Sequence, residues 1–292
     1  MRITEEQLNF LGSLDCHRLS SKENHRTLIK SFENSRNPNI VENLKKSAWQ
    51  EDEAGSTAYY IIKTNNNIPL FFFSLKCGAL SEHLDENQIK ERKQIYDLAQ
   101  RLISNPKDKK EEEMALLILE QFRSGNNLTD NEIKTILKKN IKNIQRKLSV
   151  LSMDKTKDPN KHIIRVANTH SGVELVHFCL NENSKSVWKS FNMPQSLGKI
   201  IFWYHIVPIL KKVREVVGCK YLFLFAADVT EDGTLINYYN VDLKLHRPID
   251  IGTTKPVYDL NCIFMCNEIS SLISHRKTFF ENFNPDSLVE VE

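Results

Sequence analysis

The texture of the chain changes twice along its length, and this alternation constrains the fold more than any single motif does. Two β-branched and aromatic runs, AYYIIK (58–63) and LFFFSLKCG (70–78), are followed from about residue 82 to 165 by long charged stretches; strand chemistry then returns at HIIRVANT and at VELVHFCLN (173–181). An isolated hairpin leaves rows of backbone groups unpaired and is marginal in water. The early and late strands are therefore expected to share one sheet, interrupted by the charged segment.

The hairpin is joined by TNNNIP, whose asparagine cluster favours a tight reversal. Upstream, Leu28, Ile29 and Phe32, then Ile40, Val41, Leu44 and Ala48, recur at helical spacing, which predicts two short amphipathic helices. The break between them is NSRNPN, with Asn39 as the expected cap of the second helix. Within the charged segment QIYDLAQRLI, EEEMALLILEQF and NEIKTILKKNIKNIQRKLSVL are separated by NPKDKK and SGNN, which predicts three helices.

Farther on, GKIIFWYHIVPILKKVREVVG (198–218) reads as a long amphipathic helix, kinked at Pro208 and closed by Gly218. YLFLFAAD (221–228) reads as a buried strand, LINYYNV (235–241) as a short helix or turn, and DLKLH and CIFMCNEI as the last two strands. The order ααββ, helical block, ββαβαββ implies a mixed α/β sheet with helices on its faces. The expected division is 1–80, a helical insertion 81–162, and 163–292.

Several function classes drop out. With 292 residues, 40% apolar and 26% charged, the chain has the composition of a folded globular protein. No apolar run reaches the roughly 18 residues of a membrane span, and the N-terminus is acidic and polar where a signal peptide would be basic and then apolar, so a cytoplasmic, membrane-free protein is expected. The six cysteines are scattered, most of them in apolar runs, and read as free thiols. Cys262 and Cys266 have no second pair of ligands, so no metal is expected. Neither a Gly-x-Ser-x-Gly elbow nor a phosphate-loop or dinucleotide fingerprint occurs.

In its order of elements the chain resembles the GNAT superfamily of acyl-CoA N-acyltransferases. The stretch NPNIVENLKKSAWQEDEAGSTAYYIIKTNNNIPLFFFSLKCG looks like the N-terminal third of the acetyltransferase toxins of toxin–antitoxin pairs. The resemblance spans about residues 25–80 and 163–270 and leaves the insertion aside. It implies a mostly antiparallel twisted sheet with the helical block between two central strands, and acetyl-CoA as acyl donor.

In this family the pyrophosphate is held by backbone amides of a loop Gln/Arg-x-x-Gly-x-Gly/Ala that opens a helix. Gln195, Ser196, Leu197, Gly198, Lys199 and Ile200 match it in part: Gln and the first Gly are kept, and Ile200 replaces the small residue. Lys199 would add a point charge. Val176, His177 and Phe178, in the strand VELVHFCLN, would pair with the pantetheine amides. Tyr238-Tyr239 resembles the Phe-Tyr pair of the family, which implies Tyr239 as the general acid and leaves Tyr238 to packing.

An attacking amine must lose a proton and the leaving thiolate must gain one. Glu174, or His177 through water, would take the first. Strand alternation puts these two on opposite faces, so only one of them is expected on a given side of a cleft. Asp228, at the end of a strand, is either a polar group at the sheet's mouth or a cap. In the insertion, Lys138, Lys139, Lys142 and Arg146 lie in a stretch without acidic residues. The stripe is suited to a nucleic-acid backbone or, alternatively, to pairing with the acidic run at 111–113. The toxin resemblance implies the aminoacyl amine of charged tRNA as acceptor and an antitoxin as partner. A protein or small-amine acceptor, or a GNAT-fold scaffold without catalysis, stays open, as does the oligomeric state.

Overall fold

The structure is a computed structural model that describes residues 3–82, 86–123, 129–153, 168–227, 233–248, 251–254 and 262–280. The chain forms two compact units: Met1–Leu80 with Thr169–Glu292, and Ser81–Asn168. Its elements in order are α1 (Glu5–Gly12), β1 (Asp15–Arg18), α2 (His25–Leu28), α3 (Pro38–Lys46), α4 (Ala48–Glu53), β2 (Ala58–Lys63) and β3 (Pro69–Glu82). Then come α5 (Glu86–Ser104), α6 (Lys109–Arg123), α7 (Asp130–Met153), β4 (Thr169–Leu180), α8 (Lys185–Ser190), α9 (Leu197–Ile201), α10 (Val207–Val217) and β5 (Tyr221–Ala226). α11 (Thr234–Asn237), β6 (Ile251–Gly252), β7 (Ile263–Glu268) and α12 (Ile269–Phe280) complete it.

The seven-stranded sheet runs β1-β2-β3-β4-β5-β7, with β6 on β3. β1–β2, β2–β3 and β5–β7 are antiparallel, and β4–β5 is parallel. The helices α5–α7 therefore interrupt two neighbouring strands, β3 and β4. Side chains alternate across a strand, so the run Phe71-Phe72-Phe73 serves both faces. Phe71 and Phe73 join Ile200, Phe202, Trp203 and Leu210 on one side; Phe72, with Tyr59 and Ile61, meets Phe32, Val41, Leu44 and Ala48 on the other. Each buried phenylalanine contributes about 1.5–3 kcal/mol.

The hairpin forms as expected, with Asn67 at φ 58° in its turn and Thr64 N–H donating to the Ile68 carbonyl at 3.0 Å. The helix before it is capped by Asn37 rather than Asn39: the Asn37 side chain accepts from Ile40 N–H, and Pro38 takes the first helical position, where no N–H is needed. The preceding helix is a single turn, α2, and the chain beyond it bonds the end of β4 and the residue after it, Asn34 Nδ2 donating to the Leu180 carbonyl at 3.2 Å and Glu33 N–H to Asn181 Oδ1 at 3.1 Å. The expected strand DLKLH is absent. Lys244 at φ 61° breaks its extension, Leu243 and Leu245 turn into the core, and only His246 bridges to Cys266. α1 and β1 add a helix and an edge strand that had no sequence reading.

The long helix runs continuously from Leu197 to Val217 through a wide π-helical turn at Phe202–Ile206. Pro208 has no N–H for the carbonyl of Tyr204, and the disturbed ladder lies just before it. The neighbouring Trp203 carbonyl accepts instead from Arg276 Nε at 2.8 Å. Gly218, at φ 66°, ends the helix.

In the second unit Ile133, Leu137, Ile141 and Ile144 of α7 are buried at spacings of four, four and three. Ile133 and Leu137 pack with Ala99 and Leu119. Thr129 and Glu132 cap the start of α7 reciprocally: Thr129 N–H donates to the carboxylate at 2.8 Å and Glu132 N–H to the hydroxyl at 3.4 Å. Among the described residues no helix is long and apolar enough to cross a membrane, and all six cysteines are unbridged.

Candidate active site

Parallel strands β4 and β5 pair only at Gly172–Tyr221, Val173–Leu222 and Glu174–Phe223. β4 continues to Leu180, while β5 continues to Ala226 and stays paired to β7. Past Glu174 and Phe223 the two strands thus part, and each turns an edge of backbone N–H and C=O groups toward the gap. A strand edge of this kind accepts an extended amide-bearing ligand. Burial changes at the same point: Val173, Glu174 and Leu175 are buried, while Val176, His177 and Phe178 are half-buried.

The start of α9 lies against this opened part of β4. A Cβ on Gly198 would come within 2.8 Å of the Tyr238 hydroxyl and 3.3 Å of the Phe178 ring, so a side chain there must push the tyrosine aside. Tyr238 also bonds Ser196, and its burial pushes the phenol above its ordinary range. Ser196 caps the helix, accepting from Lys199 N–H at 3.4 Å. Trp203 Nε1 donates to the Asp242 carbonyl at 3.1 Å and ties the Tyr238–Asp242 turn to the long helix.

Two residues of the partial loop are used differently from the sequence reading. Lys199 Nζ meets Asp242 at 2.8 Å, so its charge is already compensated within the protein. Ile200 is fully buried in the core and puts no side chain at the mouth. Gln195 is half-buried, Ser196 exposed and Leu197 buried. Tyr239 is half-buried against the same core, and its carbonyl accepts from Leu245 N–H at 2.9 Å. The hydroxyl placed at Ser196 and Gly198 belongs to Tyr238, which the sequence had left to packing; a glycine at the opening of the helix was the signal that a neighbour approaches closely.

The expected opposition of Glu174 and His177 is not what the fold contains. Leu175 lies in the core with the long helix, yet His177, two residues on, faces the other way, stacked on Tyr59 at 5.5 Å. Alternation breaks between them, as an extra residue in a strand makes it do. Glu174, in register with Phe223 and opposite in parity to Leu175, is left on the same sheet face as His177.

His177 stands in a polar network on that face. Its Nδ1 is 2.7 Å from the Ser74 hydroxyl and its Nε2 3.4 Å from Asn43 Nδ2. Burial pushes the imidazole down to about 4, with Glu51 acting weakly the other way, so the ring is neutral at pH 7. The Asn43 amide donates to Nε2, and Nδ1 therefore carries the hydrogen and donates to Ser74. The Asn43 carbonyl oxygen accepts from Ser47, and the Tyr59 hydroxyl donates to Glu51 at 2.9 Å. Asn43, Ser47, Glu51 and Tyr59 had no role in the sequence reading, since only the seating of α3 and α4 on the sheet brings them to β4.

Lys138, Lys139, Lys142 and Arg146 are exposed on α7, in the other unit. Asp228 lies outside the described residues. Among the described residues no group of three or more His, Cys, Asp or Glu side chains is gathered as a metal site would require.

The fold and site therefore define an α/β protein whose sheet opens between two parallel strands, with a capped helix start and a tyrosine hydroxyl at the opening. No protein-family model and no curated protein matches the chain. Solved structures align with it over most of its length. A tyrosine-to-phenylalanine mutant of KacT is 10% identical over 90% of this chain and 99% of its own, at a TM-score of 0.45. Such a mutant of the AtaT toxin, bound to the C-terminus of the antitoxin AtaR and acetyl-CoA, is 10% identical over 92% and 98%, at 0.44. AtaT complexed with acetyl-methionyl-tRNAfMet is 9% identical over 90% and 98%, at 0.43. Alignments this loose carry no argument about chemistry.

Proposed function

We propose that the protein is a GNAT-like N-acetyltransferase that moves an acetyl group from acetyl-CoA to a primary amine, the aminoacyl amine of charged tRNA. The observation that carries this reading is the parting of β4 from β5 beyond Glu174 and Phe223, with the Gly198 helix start beside it. An opened strand edge takes the amides of a pantetheine arm, and a helix start takes its phosphates. The residues fit that donor in part: Val176, His177 and Phe178 offer the edge and Gln195 to Gly198 the loop, while Lys199 is held by Asp242.

Acetyl-CoA supplies a thioester. The amine nitrogen bonds to its carbonyl carbon, the C–S bond breaks, the amine proton leaves and the sulfur takes one up. Both ring nitrogens of His177 are engaged, by Ser74 and Asn43, so Glu174 accepts the first proton and Tyr239 donates the second. Tyr238, at the helix start, positions the loop. The ordering is a direct transfer with both substrates bound, in the cytoplasm where charged tRNA is found. An antitoxin is the partner this reading expects.

Purified protein with acetyl-CoA and charged tRNA tests the reading. Acetyl-aminoacyl-tRNA is the expected product, and CoA binding without any such product would overturn the acceptor. Tyr239→Phe should lower turnover by about 10²-fold or more with donor affinity nearly unchanged. Undiminished turnover would remove Tyr239 from the role. A second reading, a binding protein on this fold, is favoured by the Lys199–Asp242 pair, and calorimetry with no acetyl-CoA binding would select it.

A further inference from the structure

The helical unit carries a charge pattern that its described acidic residues do not absorb. On α7 the buried stripe is Ile133, Leu137, Ile141 and Ile144. At 100° per residue, Lys138, Lys139, Lys142 and Arg146 fall roughly opposite it, and all four are exposed. From the first to the last they span about 12 Å of helix. No ion pair joins any of them to another described residue, whereas neighbouring cations are matched: Lys93 to Asp97 at 2.5 Å and Arg101 to Glu111 at 2.9 Å.

Of the acidic run at 111–113, the internal partner open to this stripe, Glu111 is engaged elsewhere, and neither Glu112 nor Glu113 forms an ion pair with any of the four among the described residues. Glu111 binds both terminal nitrogens of Arg101, at 3.0 and 2.9 Å, and accepts from Lys107 N–H at 2.8 Å. Four like charges on one rigid face repel one another by tenths of a kcal/mol per i,i+4 pair, and only an external anion removes that cost. The stripe contains no aromatic residue, so it has nothing on which unpaired bases could stack. What it can meet is a row of phosphates.

We infer that this face of α7 is a docking ridge for the phosphate backbone of a double-helical RNA stem, reading shape and charge but no sequence. The choice of RNA rests on the proposed acceptor; the ridge itself rests on the charge pattern. Lys and Arg contacts of this kind position a nucleic acid and carry no base readout. With four contacts, the affinity should fall about a hundredfold between 50 and 200 mM salt, from a slope of about −0.9 per neutralised phosphate.

The test is binding of the full chain to uncharged tRNA, followed by gel shift across that salt range, for the wild type and for Lys138→Glu/Lys142→Glu/Arg146→Glu. The salt slope should drop by about 2.7 in the triple variant, and affinity at 50 mM by 10²-fold or more, with an unchanged melting temperature. A variant in which Lys138 and Lys142 are replaced by Arg should bind like the wild type. Unchanged slope and affinity in the Glu variant would overturn the ridge, even if the protein acetylates charged tRNA. Equal binding of a DNA duplex, or displacement by polyglutamate as effective as by RNA, would overturn the RNA assignment. Ridge-dependent RNA binding with no acetyl transfer would leave the ridge standing and remove the proposed acceptor.

Discussion

In the sheet unit Lys63 is only 4% exposed, yet it reaches Asp15 at 3.1 Å and Asn67 at 2.7 Å. Asp52, fully buried, accepts from Arg18 Nε, Ser20 N–H and Tyr59 N–H at 2.8, 2.8 and 2.7 Å. In the helical unit Lys138, Lys139, Lys142 and Arg146 of α7 are exposed and form no ion pair with another described residue, and Leu116 and Leu117 of α6 are 60% and 61% exposed. Both units pair charges internally, but the sheet unit buries such pairs beside cores on two sheet faces, whereas the helical unit keeps its pairs at the surface of one seam of mainly aliphatic side chains. A body built to hold a site within tenths of an ångström needs the first arrangement. A module that meets a partner through its surface needs only enough core to keep its helices in register.

The sharpest break in that contrast would come at Asp52. Asp52→Ala removes one carboxylate and leaves two backbone N–H groups and Arg18 without their acceptor, so urea unfolding should report a loss of about 3–5 kcal/mol. A loss under about 1 kcal/mol would mean that the sheet unit does not depend on its internal charge matching.

Acid should act on the sheet unit next. Burial holds both His177 and His205 down to about 4, so each must be neutral in the fold. Between about pH 4 and the ordinary 6.5 the unfolded chain binds more protons than the folded one, and stability therefore falls as pH is lowered through that window. At pH 4 each histidine accounts for at most about 3 kcal/mol, full stability being present above pH 6.5. Melting temperatures from pH 7.5 to 4.5 measure this, and His177→Gln should flatten the curve; an unflattened curve would place the buried imidazole elsewhere.

Gly198→Ala should have a smaller effect with a specific signature. The new methyl meets the Tyr238 hydroxyl at 2.8 Å, costing about 1–2 kcal/mol and weakening acetyl-CoA binding. In a Tyr238→Phe background most of that loss should be recovered, and additive losses would mean the two do not touch. Smallest is Leu117→Ser on the helical unit, within about 0.5 kcal/mol of wild type in thermal unfolding. A loss near that of a core leucine would show that the exposed face of α6 is covered in solution.

Much of the framework was legible in the residues. The hairpin, the three charged helices, the long helix ended by Gly218 and the strand YLFLFAAD were signalled by local periodicity, turn chemistry and caps, which depend on neighbours in the chain. DLKLH was misread because its alternation suits a strand, while the left-handed Lys244 depends on how Leu243 and Leu245 find the core. The N-terminal DCHR strand has too few apolar residues to announce itself and is paired only because β2 offers an edge.

For the proposed site, the resemblance carried by the residues pointed to three segments, VELVHFCLN, the Gln195–Ile200 loop and the Tyr238-Tyr239 pair. How these segments meet depends on the packed fold. The parting of β4 from β5, the Tyr238 hydroxyl at Gly198 and the capture of Lys199 by Asp242 join residues tens of positions apart, and the break of alternation between Glu174 and His177, though local in the chain, shows only in what each residue packs against. Such contacts are set by how rigid elements pack against one another, and packing is a property of shape in three dimensions that no window along the chain contains.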